Sequence, residues 1–392
     1  MTVQPSPGRA DGGRHIVLLA SSAPSLINFR GPLLKALIGR GLRVTAVAPD
    51  IDDRTRDSLI ALGVEPVEIE MQRVGMNPLA DISYFRRLDS LFERLAPDAL
   101  VAYTAKPVIW GSLAARRRSK TVRIVAMITG LGYAFTPPER PALRHAVAHL
   151  AARLLYWRAL RGVDHVLFQN PDDQALFRRQ DLLPPTKAAS VMAGSGVDLE
   201  HYAPALSPGG LAFLMISRLL GAKGVREYAA AALGLKTRYP HISFRLVGGF
   251  DAGPDAVPQE EVERWVAGGL EYGGNVQDVR PAIAAANCIV LPSYREGTPR
   301  AVLEAMAMGR PIITTDAPGC RETVVEGVNG WLVPPRTIPP LADAMERAIL
   351  APDVLHRMGE ASLDLARQKY DVHLANAVVI AALELDATPS NP

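Results

Sequence analysis

The sequence predicts an α/β protein made of two Rossmann-like domains, each with a parallel sheet. Three observations carry that prediction. Short apolar runs alternate with helical stretches along almost the whole chain, the rhythm of parallel strands joined by crossover helices. The 392 residues suffice for two or three domains of ordinary size, and an apolar content of 48% is ample for their cores. A Pro/Gly-rich stretch at 204–210 has the composition of a linker and interrupts the rhythm near mid-chain.

The polar tail 1–13 is rich in Pro and Gly and is expected to be disordered. The run 15–21 reads as the first strand, 22–29 as a loop, 30–40 as a helix stopped by Gly41, and 43–48 as the second strand. In such a unit a ligand sits beyond the carboxyl end of the sheet, which makes Asn28 and Arg30 candidates for ligand contact, although both also fit ordinary loop and cap roles. Helix 51–62, strand 64–70, polar loop 72–77, helix 78–95 and strand 98–102 follow. That last strand delivers Tyr103-Thr104-Ala105-Lys106-Pro107, which sets a lysine at a strand end where it could meet a phosphate. Helix 108–118 runs out in Arg116-Arg117-Arg118-Ser119-Lys120, and strand 122–128 delivers Thr129-Gly130-Leu131-Gly132-Tyr133, whose glycines permit a close backbone approach. Helix 141–161, strand 163–169, helix 171–179 and the segment 189–198 complete a first domain taken as 14–198.

The second domain, 199–370, repeats the pattern. Strand 212–217 leads into loop 218–223, helix 227–239 and strand 243–248, which ends in Gly248-Gly249. Helix 260–269, strand 270–276, helix 279–286 and strand 288–291 come next, and the loop after 276 is placed to meet a nucleobase. Helices 341–350 and 354–369 close the domain, and 371–385 is the last helix.

The chemistry is placed in 295–316, R-E-G-T-P-R-A-V-L-E-A-M-A-M-G-R-P-I-I-T-T-D. Thr298 reads as an N-cap and Pro299 as the first helical residue. Ala301, Val302, Leu303, Ala305 and Met306 continue the helix, Gly309 stops it, and 311–315 reads as a buried strand. A helix N-terminus presents free N–H groups and positive dipole to an anion such as a diphosphate. Glu296 lies just before it and Glu304 eight positions further on. A carboxylate accepts two parallel hydrogen bonds and so suits a vicinal diol such as a ribose. A bare Glu-x7-Glu also fits a solvated surface pair; the Gly297-Thr298-Pro299 start and the Gly309-Arg310-Pro311 stop favour the site.

This stretch resembles the signature of glycosyltransferase family 4, retaining transferases of the GT-B fold. Ser217-Arg218-Leu219-Leu220 followed by Lys223-Gly224 resembles that family's Arg…Lys diphosphate clamp. Met127-Ile128-Thr129-Gly130-Leu131-Gly132 and Thr104-Ala105-Lys106-Pro107 are similar to a bacterial subgroup that adds sugars to polyprenyl-diphosphate-linked oligosaccharides. The resemblance runs from about His15 to the last helix, which in GT-B proteins returns to the first domain. It implies catalytic roles for Glu296, Arg218 and Lys223, and donor contacts from Arg218, Lys223, Glu296, Gly297, Thr298, Pro299 and Glu304. Acceptor contacts are expected from Asn28, Arg30, Lys106, Thr129 and Gly130. Many family members carry a donor-contacting histidine near Thr129-Gly130, and this chain departs from that pattern.

Charge and composition narrow the partners. Residues 1–200 carry 26 Lys+Arg against 19 Asp+Glu, residues 201–392 carry 17 against 21, and 101–170 carry 11 against 2. With Tyr133, Phe135, Tyr156 and Trp157 close by, that block favours an anionic surface; no nucleic-acid motif accompanies it, so a membrane face is expected and no nucleic acid. Helix 141–161 brings Arg144, Arg153, Arg158 and Arg161 to it. No run reaches the ~18–20 apolar residues of a membrane span, and no secretory signal is evident. Cys288 and Cys320 show neither disulfide nor metal spacing, which fits a reducing cytoplasm. Asp52-Asp53 and Asp172-Asp173 sit at helix starts and read as caps, and no strand-end Asp-x-Asp is present, so neither metal nor cofactor is expected. His145 and His149 have metal-ligand spacing but no third ligand, and read as solvated.

The expectation is a metal-independent retaining transferase on the cytoplasmic membrane face. It would move a hexose or N-acetylhexosamine from a UDP-sugar to a polyprenyl-diphosphate-linked sugar. Two alternatives stay open: a UDP-N-acetylhexosamine 2-epimerase of the same fold, and a non-catalytic nucleotide-sugar-binding partner.

Overall fold

A computed structural model describes residues 13–385 except 73, 74, 76, 136–142, 252 and 254; the tail expected to be disordered lies, apart from Gly13, outside the described residues. Two parallel sheets organise the chain. The first has seven strands: β1 His15–Leu19, β2 Arg43–Ala48, β3 Glu65–Glu68, β4 Ala99–Tyr103, β5 Arg123–Ile128, β6 His165–Phe168 and β7 Ala188–Val191. Their order is β3-β2-β1-β4-β5-β6-β7. The second has six: β8 Ala212–Ile216, β9 Ser243–Val247, β10 Glu271–Tyr272, β11 Cys288–Leu291, β12 Ile312–Thr315 and β13 Gly330–Val333, in the order β10-β9-β8-β11-β12-β13. Every ladder within the two sheets is parallel.

The apolar runs form strands because helices cover both faces of each sheet. Along β1 the side chains alternate: Val17 and Leu19 enter one apolar core, Ile16 and Leu18 the other. Helices Pro78–Leu95, Ser112–Arg118, Leu143–Leu160 and Pro171–Arg179 supply the first of those cores, and helix Gly31–Ile38 supplies the second. Helix Val372–Ala382 returns to the first sheet, where Ala375, Val379 and Ala382 join the core beside Leu33, Leu34 and Leu37.

Several local expectations are corrected. The loop 22–29 holds a short helix, Pro24–Asn28, which Pro24 starts with its fixed φ. The helix expected over 108–118 opens with a π-turn, Pro107–Gly111, before Ser112–Arg118 continues as an α-helix. The strand expected over 270–276 shrinks to Glu271–Tyr272, and β13, with its short apolar run Trp331-Leu332-Val333, was not foreseen. The linker is tied down: the Arg310 guanidinium donates to the Ala205 and Leu206 carbonyls at 3.0 and 2.9 Å.

Candidate active site

Each sheet order reverses once, between β1 and β4 and between β8 and β11. Loops at the carboxyl ends of the strands flanking such a reversal diverge and leave a crevice, the usual ligand seat of open α/β sheets. Arg218 and Lys223 follow β8, and Glu296 follows β11. Asn28, Arg30 and Lys106 follow β1 and β4. The topology thus gives both groups of candidates the position that their motifs suggested.

In the second half they converge. A cleft of about 350 Å³ is lined by Arg218, Lys223, Glu296, Pro299 and Glu304, with Phe29 reaching in from the first half. Gly248 and Gly249 form part of its floor. At Gly248 φ is +153°, and a Cβ there would sit 1.7 Å from the Ser217 carbonyl oxygen, so only glycine allows β8 and β9 to end so close. Asn275 and Val276, from the expected strand, and Val279, from beyond it, line the same cleft after β10.

The charges in the cleft are paired. Lys223 Nζ donates to Glu296 Oε1 at 2.5 Å, and Ser293 Oγ donates to the same oxygen at 2.8 Å. Arg218 Nη1 lies 2.6 Å from Asp251 Oδ2, with most of its side chain exposed. Glu304 is buried on helix Arg300–Ala307, where one carboxylate oxygen accepts from Tyr202 Oη at 2.9 Å and Arg300 Nε at 2.7 Å. Burial, and then the Glu304 carboxylate, push the Tyr202 phenol far above its ordinary range, so it stays a donor. Arg300 lies over the Phe29 ring, 5.0 Å from its centroid, and so bridges the two halves across the cleft.

The loop that carries Glu296 is bound to the first half. Asn170 Nδ2 donates to the carbonyls of Glu296 and Gly297 at 3.2 and 2.8 Å, and Arg295 pairs with the fully buried Asp173. Burial raises the Asp173 carboxyl, and Arg295 opposes that shift. A Cβ on Gly297 would lie 2.6 Å from the Thr129 carbonyl oxygen and 2.3 Å from Gln169 Oε1, so the glycine is needed for this close approach. A Cβ on Gly130 would lie 3.4 Å from the Gly297 nitrogen.

Two expectations about caps fail. Thr298 does not cap the helix: Pro299 is the N-cap, and Thr298 Oγ1 donates to the Gln169 carbonyl at 3.0 Å across the interface. Asn170, not the Asp172-Asp173 pair, caps helix Pro171–Arg179; Asp173 turns to Arg295 and Asp172 to Arg321. Asp52 does cap its helix, accepting from Thr55 N.

The acceptor-side candidates do not converge. Asn28 is exposed beside Phe29. Arg30 is buried with its guanidinium 4.9 Å from the Tyr103 ring centroid and Nε without a partner; burial, opposed by Tyr103, lowers its pKa to about 10. Lys106 Nζ donates to Asp81 Oδ1 and the Gln72 carbonyl at 2.7 and 2.8 Å. His149 Nδ1 meets the Ala134 carbonyl at 2.9 Å, and the rings of His145 and His149 stack 6.4 Å apart. Among the described residues no three His, Cys, Asp or Glu side chains are grouped to hold a metal ion.

Tyr202, Asn170, Asp173 and Phe29 escaped sequence reasoning because their roles depend on which loops the two sheets bring together. Arg300 could have been found from its i,i+4 spacing to Glu304.

Two parallel sheets with charged loops at their reversals define a protein of two Rossmann-like halves that share a charged cleft. The model of the family "Glycosyl transferases group 1" matches residues 210–350, and that of "Glycosyl transferase 4-like" matches 15–170. Between them they take in every described strand but β7, and the chain belongs to these glycosyltransferases. It is 28% identical over 329 residues to the N,N'-diacetylbacillosaminyl-diphospho-undecaprenol alpha-1,3-N-acetylgalactosaminyltransferase of Campylobacter jejuni, a match covering 80% of this chain and 84% of that one. It is 24% identical over 283 residues to the UDP-Gal:alpha-D-GlcNAc-diphosphoundecaprenol alpha-1,3-galactosyltransferase of Escherichia coli, covering 69% and 70% of the two chains. The fold is GT-B: sucrose-phosphate synthase from Thermosynechococcus elongatus superposes with a TM-score of 0.78 at 18% identity, over 94% of this chain and 98% of that one. Anabaena HepE in complex with UDP and glucose superposes with a TM-score of 0.73 at 19% identity, over 94% and 98%.

Proposed function

We propose that the protein is a retaining glycosyltransferase that moves a hexose or N-acetylhexosamine from a UDP-sugar to a sugar on a polyprenyl diphosphate. The observation that carries this reading is the single cleft shared by Arg218, Lys223, Glu296 and Glu304 at the reversal of the second sheet. The names of both relatives specify undecaprenyl-diphosphate-linked acceptors and α-1,3 linkages. An α linkage made from an α-configured nucleotide sugar is a retention of configuration.

The donor diphosphate takes over cations that now face Asp251 and Glu296. Each charge-assisted contact contributes roughly 1.5–3 kcal/mol. Charge builds on the diphosphate as the sugar–phosphate bond breaks, so Arg218, Lys223 and the N–H groups at the start of helix Arg300–Ala307 act most strongly in the transition state. They replace a metal in this reading. The departing phosphate oxygen accepts the proton of the acceptor hydroxyl, so no separate base is required. Glu304 receives the ribose with the oxygen that Tyr202 and Arg300 leave free. Glu296, aligned by Lys223 and Ser293, faces the donor sugar. Asn28, Arg30, Lys106, Thr129 and Gly130 form the acceptor side, and the basic block 101–170 holds the protein to the cytoplasmic face of the membrane, where such an acceptor lies.

The test is UDP release from a panel of UDP-sugars, with and without polyprenyl-diphosphate-linked acceptors, for wild type and Glu304→Ala. Acceptor-dependent release abolished by Glu304→Ala is the expected result. Conversion of the sugar without acceptor and without free UDP would select a 2-epimerase instead.

A further inference from the structure

The first half holds a buried cation that no carboxylate meets. Arg30, between β1 and helix Gly31–Ile38, is 3% exposed. Its side chain makes no hydrogen bond or ion pair among the described residues, and Nε is buried without a partner. The guanidinium lies over the Tyr103 ring, 4.9 Å from its centroid. A ring face offsets only part of what a buried charge loses on leaving water. Burial lowers the Arg30 pKa to about 10, which still leaves it charged at neutral pH.

The surroundings are those of a ligand seat. Arg30 follows β1 and Tyr103 ends β4, so both stand at the reversal of the first sheet. Tyr103 Oη is held 2.8 Å from Ser25 Oγ. The next residue, Thr104, has φ +70°, a conformation that β-branched side chains rarely adopt and that clusters at functional sites. Its hydroxyl donates to Ser21 Oγ at 2.7 Å, so a strained residue pins the loops after β1 and β4 together. Lys106, two positions on, is met by Asp81, whereas Arg30 has no such partner.

Its place selects the anion. Phe29, the preceding residue, lines the donor cleft, and Arg300 of the second half is near enough to weigh against the charge on Arg30. An anion at Arg30 therefore lies beside that cleft, where an acceptor has to lie. The donor diphosphate has cations of its own: Arg218 and Lys223 line the cleft and Arg30 does not. The acceptor proposed above carries a second diphosphate, separated from the reacting hydroxyl by a sugar.

We infer that Arg30 binds the acceptor by donating to a phosphate oxygen of its diphosphate, a single contact beside the cleft in which the second half grips the donor with several. The inference rests on the transfer reading for the identity of the acceptor. Arg30→Met keeps the apolar stem and removes the charge. It should raise KM for a polyprenyl-diphosphate-linked acceptor more than about tenfold, with kcat and donor KM within about twofold of wild type, and Arg30→Lys should fall between. Because the wild type buries this charge unpaired, Arg30→Met should melt at or above the wild-type temperature. A lower melting temperature would make Arg30 a structural residue and overturns the inference. So does a donor KM that rises as much as the acceptor KM, which would give the contact to UDP. A second measurement needs no turnover: calorimetric titration of farnesyl diphosphate, and of farnesol, into the full chain saturated with UDP. Weaker binding of the diphosphate to Arg30→Met, with no such difference for farnesol, supports the inference. Equal binding of the diphosphate to both proteins, or none to wild type, overturns it. If Arg30-dependent binding is found and no acceptor gives UDP release, the diphosphate contact stands and the transfer reading falls.

Discussion

The two halves of the molecule are built on one plan and use it differently. Both sheets reverse order once, and both place candidate residues on the loops at the reversal. In the second half, Arg218, Lys223, Glu296 and Glu304 share a cleft, each held by a neighbour of opposite or complementary character. In the first half, Lys106 is occupied by Asp81, Arg30 lies over Tyr103, and Asn28 faces solvent. The difference teaches that a strand-end position is not enough. A seat for a diphosphate needs several charges aimed at one point, and only the second half has that convergence before a ligand arrives.

Alanine substitutions in the two halves give the sharpest contrast. Lys223→Ala should reduce acceptor-dependent UDP release by ~10²–10³, the usual loss for one electrostatic donor at a leaving group. Lys106→Ala should cost less than about tenfold, because its ammonium is held by Asp81 and the Gln72 carbonyl and does not line the cleft that Lys223 shares with Glu296. Equal losses for the two lysines, measured as kcat/KM with a common donor, would break the comparison.

The halves meet through the loop that carries Glu296, and that joint is the next place to press. Asp173 is fully buried and its partner Arg295 nearly so. Arg295→Met leaves a buried carboxylate uncompensated and should lower unfolding stability by about 3 kcal/mol. Denaturant titration measures it. A loss below about 1 kcal/mol would mean that Asp173 takes up a proton and sits neutral at little cost, which its burial-raised pKa allows.

A smaller effect is expected inside the donor cleft. Tyr202→Phe removes one hydrogen bond to Glu304 but leaves Arg300 in place. A loss of about 1 kcal/mol corresponds to roughly a fivefold rise in donor KM with little change in kcat. A matching fall in kcat would mean that Tyr202 acts on the reacting sugar and not through the carboxylate.

These predictions also mark how far the sequence could be read. The parallel strands were legible because continuous apolar runs between helical stretches have few other solutions, and Glu296 with Glu304 was legible because the Gly-Thr-Pro start and Gly stop frame them. Thr298 was misread as a cap: its hydroxyl had a choice between its own helix and the Gln169 carbonyl, and the meeting of the two halves decided it. Asp173 was misread for the same reason. Asn170 has a local signal only as the cap before Pro171; its bond to Gly297, like that of Tyr202 to Glu304, reaches a residue more than a hundred positions away. β13 had a signal, the short apolar run Trp331-Leu332-Val333 between Gly330 and Pro334, that was passed over.

The smallest expected effect concerns pH and the first half alone. Two ring systems with lowered pKa values, His15 and His165, both belong to the first sheet. His15 is buried at the start of β1, with Nδ1 3.1 Å from the Leu95 carbonyl and Nε2 2.8 Å from Thr45 Oγ1. The Leu95 carbonyl can only accept, so Nδ1 carries a proton, while Thr45 Oγ1 donates to Glu65 Oε2 at 3.0 Å. Burial and then Arg43 disfavour the charged ring more than the Leu95 carbonyl, Glu65 and Asp98 favour it. The sign follows: a folded-state pKa below the ordinary 6.5 gives stability that is complete above pH 6.5 and is lost as pH falls through the folded-state value. The melting temperature should therefore decline from pH 7 toward pH 5, and His15→Gln, which keeps an amide donor for Leu95, should flatten the decline whatever it does to the absolute value. An unchanged slope would place the acid-sensitive group elsewhere, and the second half would then have to be searched for it.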